Sequence, residues 1–160
     1  MTLAVTGSSS GFGLGVTEAA LEHGDKVVAT LRRPRVLDNL VSKYGSDQLR
    51  VVKLDVTKPE EVDNAFIVAK KAFGRVDIVF NNAGIALVGE VEATPEATAR
   101  ELFDINFWGA VNVSKTAVKF FRDENPRGVG GRLITNSSGT GIRPAACLPY
   151  YSSAKFGEHL

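Results

Sequence analysis

Residues 3–13 read LAVTGSSSGFG, an apolar run that leads directly into three closely spaced glycines. The run LAVT is short enough for a buried strand, and Gly7 ends it in a tight turn. Residues 13–23 then carry apolar side chains at helical spacing, and Gly24 ends this helix. A buried strand, a glycine turn and a helix in this order are the first unit of an alternating strand–helix fold.

The same alternation continues to the end of the sequence. Further strands are predicted at residues 26–31, 49–54, 76–80 and 132–136. Helices are predicted at residues 36–43, from 57–60 onward, at 94–123 and from Tyr150 or Tyr151 onward. Thr57 is the expected N-cap of its helix, because Glu60 follows three residues later. We therefore predict an α/β fold in one domain, residues 1–160, with a doubly wound parallel sheet covered by helices on both faces.

Composition excludes several classes of protein. Residues are 44% hydrophobic and 23% charged, and a net charge of +1 gives no reason to expect a nucleic-acid or membrane surface. No apolar run approaches the roughly 20 residues of a membrane span. The single cysteine, Cys147, cannot form an internal disulfide, so we expect a cytoplasmic protein. His23 and His159 lack the spacing of metal ligands, and no metal site is expected.

The turn between the first strand and the first helix could hold a dinucleotide. Glycines let the backbone approach a pyrophosphate closely, and the helix N-terminus offers unpaired N–H groups and the positive end of a dipole. The spacing is G-x-x-x-G-x-G rather than G-x-G-x-x-G, so a plain structural turn is the alternative. The cofactor contacts predicted here are Gly7, Ser9, Ser10, Gly11, Phe12 and Gly13.

The end of the second strand distinguishes two cofactors. An acidic residue there would hold the ribose 2′-hydroxyl of NAD, but this chain has Arg32 and Arg33. Guanidinium groups bind a 2′-phosphate with charge-assisted, often bidentate hydrogen bonds. We therefore predict NADP(H), with a solvated basic corner as the alternative. Asp55 and Val56, after the third strand, are expected to border the adenine, although Asp55 could equally be a turn residue.

Four further motifs identify a family. They are Asn81-Asn82-Ala83-Gly84 after the fourth strand, Asn106 in the long helix, Ser138, and Tyr151-Ser152-Ser153-Ala154-Lys155. Together with the glycine turn, they resemble the short-chain dehydrogenase/reductase family in order and spacing, with Phe12 where isoleucine is usual. The resemblance spans nearly all 160 residues and implies a Rossmann-like fold. It adds Asn82, Ala83, Gly84, Tyr151 and Lys155 to the predicted cofactor contacts.

Catalytic roles follow for four residues. Lys155 lies one helical turn after Tyr151 on the same face, so its charge would favour the phenolate form of the tyrosine. Tyr151 would be the general acid in ketone reduction, or the base in alcohol oxidation. The resemblance further implies that Lys155 holds the nicotinamide ribose, that Ser138 hydrogen-bonds the substrate oxygen and that Asn106 anchors a water in a proton relay. Asn106 could instead satisfy backbone groups in a bent helix.

Two neighbours compete for these roles. Ser137 adjoins Ser138 and Tyr150 adjoins Tyr151, but the spacing to Lys155 favours Tyr151, and the spacing to Tyr151 favours Ser138. We predict an oxidoreductase that transfers a hydride between NADP(H) and a small-molecule carbonyl or secondary alcohol. The alternative is a dinucleotide-binding module without catalysis.

The resemblance also implies sixth and seventh strands, which are absent from these 160 residues. A sheet that ends at its fifth strand is incomplete at the C-terminus, and a homo-oligomer is expected only for a longer form. We therefore expect the 160-residue chain alone to bind cofactor weakly and to turn over poorly.

Overall fold

The computed structural model describes residues 1–158, and His159 lies outside them. The strands are β1 (Thr2–Thr6), β2 (Lys26–Leu31), β3 (Leu49–Lys53), β4 (Ile78–Asn81) and β5 (Arg132–Thr135). The helices are α1 (Gly11–Glu22), α2 (Asp38–Lys43), α3 (Pro59–Phe73), α4 (Glu96–Phe103), α5 (Ala110–Asp123) and α6 (Pro149–Gly157). Short 3₁₀ turns lie at Pro34–Leu37 and Gly139–Gly141, and a π-helical segment lies at Asp104–Gly109.

The five strands form one parallel sheet in the order β3-β2-β1-β4-β5. In the register of the central strand, Leu3 of β1 lies opposite Val27 of β2 and Ile78 of β4. Strands β2 and β3 lie on one side of β1. The chain then crosses over, and β4 and β5 lie on the other side. The predicted doubly wound sheet is therefore confirmed. Its topological switch point lies between β1 and β4, where a crevice opens at the carboxyl ends of the strands.

Helices cover both faces of the sheet, as the sequence predicted. Successive strand side chains point to opposite faces, so a buried parallel strand must be apolar on both. Leu3 and Val5 pack in one core cluster with Leu21 of α1. Ala4, between them, packs in the other cluster with Val62 of α3 and with α5. No helix within residues 1–158 is long and apolar enough to cross a membrane.

The helix predicted at residues 94–123 is interrupted. It consists of α4 and α5 joined by the π-helical segment Asp104–Gly109. A side chain at Gly109 would place its Cβ 2.5 Å from Cγ2 of Val56, so the segment passes directly against the residues after β3. π-helical turns of this kind occur frequently at functional sites.

The predicted N-cap of α3 was wrong. The helix begins at Pro59, and its N-cap residue Lys58 forms no side-chain capping hydrogen bond. Thr57 instead donates its hydroxyl to Oδ1 of Asp55 at 2.8 Å, while Glu61 accepts the backbone N–H of Asp55 at 2.8 Å. Thr57 therefore closes the turn after β3 rather than the first turn of the helix.

Ser152 of α6 is the site of a stability prediction. Its Oγ is buried and has no hydrogen-bond partner within residues 1–158. Burial of an unsatisfied hydroxyl is unfavourable, so Ser152→Ala should raise the free energy of unfolding by about 1 kcal/mol in urea denaturation. Ser153→Ala is the matched control, because the exposed Ser153 hydroxyl donates to Pro149 O at 2.9 Å. Helix propensity favours alanine equally at both sites, so an equal or smaller gain for Ser152→Ala would contradict the prediction.

Candidate active site

A cavity of about 620 Å³ lies at the carboxyl end of the sheet, over the switch point. The glycine turn, the ends of β2, β3 and β4, the helix α4 and the helix α6 all contribute to its walls. Most of the predicted site residues line it: Gly7, Ser9, Ser10, Gly11, Phe12, Arg32, Asp55, Val56, Asn82, Ala83, Gly84, Tyr151 and Lys155. Gly13, Arg33, Asn106 and Ser138 are not part of this lining.

The glycine turn is held closely against the end of β4. Gly7 has a φ of 68°, and a Cβ there would lie 3.0 Å from Cα of Ala83. A Cβ at Gly13 would lie 2.6 Å from Nδ2 of Asn82 and closer still to the carbonyl oxygen of Gly7. Gly13 therefore packs α1 against the turn, and its contribution to cofactor binding is indirect.

The start of α1 has the donors that a pyrophosphate needs. Ser10 precedes the helix with extended backbone and forms no side-chain cap, and the first turn contains no acidic residue. The first N–H groups of α1 are therefore left without a side-chain acceptor at the edge of the cavity, where the helix dipole favours an anion. Together with the glycines that line the cavity, this donor set fits a dinucleotide.

Two residues that were not predicted hold β1, β4 and β5 together beneath the cavity. Oγ1 of Thr6 accepts the N–H groups of Asn82 at 2.8 Å and Ala83 at 3.0 Å. Nδ2 of Asn136 donates to Oδ1 of Asn82 at 2.9 Å. Thr6 ends β1 and Asn136 directly follows β5, and both strands lie beside β4. The sequence signal that could have identified these two residues is a polar side chain at the carboxyl end of a strand.

The two arginines after β2 have different surroundings. Arg32 lines the cavity, whereas Arg33 precedes the 3₁₀ turn Pro34–Leu37 and does not line it. Across the same end of the cavity, Asp55 accepts hydrogen bonds from Thr57 N at 3.1 Å and from Thr57 Oγ1 at 2.8 Å. Burial raises the pKa of the Asp55 carboxyl, but these hydrogen bonds outweigh burial and lower the pKa overall. Asp55 is therefore an ionised turn residue that also borders the cavity.

Tyr151 and Lys155 lie together on the α6 wall. Nζ of Lys155 is 5.9 Å from the centroid of the Tyr151 ring. The lysine side chain is only 6% exposed, and Nζ donates to the carbonyl oxygen of Asn136 at 3.0 Å. Nζ also contacts both carboxylate oxygens of Glu158, at 2.8 and 3.0 Å. The sequence motif did not single out Glu158, although its position three residues after Lys155 is a usual ion-pair spacing in helices.

The two candidate serines occupy different positions. Oγ of Ser138 accepts from Thr140 N at 3.2 Å and from Thr140 Oγ1 at 3.0 Å, which caps the 3₁₀ turn Gly139–Gly141. A hydroxyl that accepts two hydrogen bonds can still donate its own proton. Ser137, the weaker candidate from sequence, is the one that lines the cavity.

Asn106 is fully buried in the π-helical segment. Its Oδ1 accepts from Ile85 N at 2.9 Å, and its Nδ2 donates to Ile85 O at 2.8 Å. The side chain thus satisfies backbone groups after β4, and a water-anchoring role stays a prediction. Gly84 makes this packing possible, because a Cβ there would lie 3.2 Å from Oδ1 of Asn106 and 3.8 Å from Nζ of Lys155.

Two kinds of protein group meet in this cavity. No group of three His, Cys, Asp or Glu side chains within residues 1–158 could hold a metal ion. The cavity instead brings a phenol and an ammonium to one wall and a glycine turn with helix N–H donors to another. These groups can exchange a proton with a ligand whose phosphates are bound by the turn.

Known proteins match this chain over nearly its whole length. Residues 1–160 match the family model described as short chain dehydrogenase. An uncharacterised oxidoreductase of Schizosaccharomyces pombe is 39% identical over 155 residues, which cover 97% of this chain and 50% of that protein. The chain therefore spans about half the length of the curated relatives it matches.

Solved structures show the same fold. A short-chain dehydrogenase from Streptomyces avermitilis superposes with a TM-score of 0.89 at 36% identity, covering 98% of this chain and 57% of the other. A 3-ketoacyl-(acyl-carrier-protein) reductase from Brucella melitensis, solved in complex with NADH, gives a TM-score of 0.88 at 27% identity, covering 97% and 64%. The family model matches the whole length of the chain, and the solved structures share its fold. The chain therefore belongs to the short-chain dehydrogenase family of oxidoreductases.

Proposed function

We propose that this chain forms the cofactor-binding and catalytic part of an NADP(H)-dependent oxidoreductase that interconverts a small-molecule carbonyl and a secondary alcohol in the cytoplasm. One observation carries the proposal: Tyr151 and Lys155 line the same cavity as the glycine turn of Gly7 and Gly11. When bound, the nicotinamide supplies or accepts the hydride. The protein must then move the matching proton, and a phenol in that cavity is suited to do so.

The chain's own residues divide the remaining work. In reduction, Tyr151 gives its phenolic proton to the substrate oxygen. In oxidation, the Tyr151 oxygen accepts the proton of the substrate hydroxyl. Ser138 donates a hydrogen bond to the same oxygen and stabilises the charge that develops there. Lys155 holds the ribose, while Asn106 anchors a water in the relay that returns the proton to solvent.

Arg32 supports the choice of NADP(H) over NAD(H). It lines the cavity at the end of β2, and no acidic residue occupies that position. A guanidinium group at this place can grip a 2′-phosphate, which only NADP(H) carries. The structural relative from Brucella melitensis was solved with NADH, so the residues of this chain, and not that likeness, carry the proposal.

Arg32→Ala should weaken NADPH binding by about tenfold or more, as expected for the loss of a charged hydrogen bond. NADH binding should change by less than about twofold, because NADH lacks the phosphate that Arg32 would contact. Arg33→Ala is the matched control, since Arg33 lies outside the cavity lining. Isothermal titration of the three proteins with both cofactors measures the effect. An equal loss for NADPH and NADH would contradict a role in cofactor choice.

A dinucleotide-binding module without catalysis is the second candidate. In its favour, Nζ of Lys155 already binds Asn136 O and both carboxylate oxygens of Glu158. The proposed function is tested by measuring dinucleotide binding by titration and hydride transfer by the absorbance of the reduced nicotinamide, against a series of ketones and secondary alcohols. Because the 160-residue chain alone is expected to turn over poorly, the rate is compared with that of Tyr151→Phe. Turnover that this variant loses supports the oxidoreductase, whereas binding with no difference in rate between the two proteins supports the module.

A further inference from the structure

We propose that Glu158 is a positioning residue that competes with the cofactor for Lys155. This inference rests on the proposed function, because it concerns the lysine that the cofactor would meet in the same cavity. Glu158 lies directly after α6, and its side chain is 2% exposed. Its carboxylate therefore contacts Lys155 inside the protein, and surface screening does not weaken this ion pair.

The ion pair holds Nζ of Lys155 toward Glu158. Nζ lies 2.8 Å from Glu158 Oε1, 3.0 Å from Glu158 Oε2 and 3.0 Å from Asn136 O. A ribose hydroxyl that approaches Nζ must therefore compete with a buried carboxylate, which is charged and is the stronger acceptor. The carbonyl of Asn136 belongs to the backbone after β5, so the Glu158 side chain is the partner that can move away.

Glu158→Gln tests the inference, because glutamine keeps the shape and loses the charge. Without its counter-charge, the buried Lys155 gains more from a ribose hydroxyl, so NADPH should bind about tenfold more tightly. Adenosine 2′,5′-bisphosphate lacks the nicotinamide ribose, and its affinity should stay within about twofold. A residue that only supported the fold would change both affinities together.

Three further variants separate an effect on Lys155 from a general effect of charge. In a Lys155→Met background, Glu158→Gln should no longer tighten NADPH binding, because the group it frees is gone. Glu101→Gln is the matched control: Glu101 also lines the cavity, so a gain shared with this variant would reflect only the loss of negative charge near a phosphate. Glu158→Asp withdraws the carboxylate by one methylene and should give a smaller gain, and it replaces Glu158→Gln if that variant does not fold.

The outcomes separate this inference from the proposed function. Tighter NADPH binding that is specific to the full dinucleotide and depends on Lys155 supports competition. If the wild-type protein binds NADPH but Glu158→Gln or Glu158→Asp binds it no more tightly, the competition is overturned and the proposed function stands. If neither the wild-type protein nor the variants bind any dinucleotide, both are overturned.

Discussion

Replacing Tyr151 by phenylalanine should lower the rate of hydride transfer by about 10²- to 10⁴-fold, the usual contribution of a general acid or base. The variant removes one oxygen and leaves the ring on the α6 wall of the cavity, near Nζ of Lys155. Cofactor affinity should therefore change by less than about threefold, while kcat falls. Steady-state rates and a cofactor titration on the same preparation measure both quantities.

Tyr150→Phe is the matched control for this prediction. Tyr150 is the preceding residue of the same helix, and its hydroxyl donates to Val91 O at 3.2 Å rather than lining the cavity. Its loss should change the rate by less than about threefold. If Tyr151→Phe retained full activity, or if Tyr150→Phe were the slower enzyme, the assignment of the proton donor would be wrong.

Replacing Gly13 by alanine should lower the free energy of unfolding by about 3 kcal/mol or more. The new Cβ would lie 2.6 Å from Nδ2 of Asn82 and closer to the carbonyl oxygen of Gly7. The second neighbour is backbone, which cannot turn aside as a flexible side chain can. The glycine turn must shift to accommodate the methyl group, so dinucleotide binding should also be lost.

Gly15→Ala in the same helix is the control, because it should raise the free energy of unfolding and not lower it. A Cβ at Gly15 meets no described atom within 4 Å, and alanine is the better helix former. The free energy of unfolding of this variant should rise by about 0.5 to 1 kcal/mol, and its cofactor affinity should stay unchanged. Urea denaturation of both variants measures the difference, and equal midpoints would show that the close packing at Gly13 does not exist.

The elements were predictable from the sequence where the signal is local. A short apolar run that ends in a glycine turn, such as residues 3–6, favours a strand buried on both faces, and five such runs separated by helices favour a parallel sheet. Boundaries were less predictable when distant residues set them. The predicted fourth strand began at Val76, but the side chain of Asn125 binds Val76 N at 3.1 Å and Val76 O at 2.7 Å, and β4 begins at Ile78.

The candidate site follows the same rule. The helical spacing of Tyr151 and Lys155 is local, and both residues line the cavity. The capping residue of α3 was wrong because Thr57 found a partner in Asp55, on the turn before it. As an N-cap, the Thr57 hydroxyl would accept from a backbone N–H of the helix, whereas in the structure it donates to Asp55 Oδ1. Only the path of the chain after β3 decided between the two partners.

The sequence alone determines the alternation of strands and helices, the glycine turn and the lysine one turn after a tyrosine, because each depends on residues a few positions apart. The sheet order decides which distant groups meet: Thr6 with Asn82, and Asn136 with both Asn82 and Lys155. Burial decides the rest. Glu158 lies at an ordinary helical spacing from Lys155, and only the tertiary structure buries both side chains of this ion pair beside the candidate site.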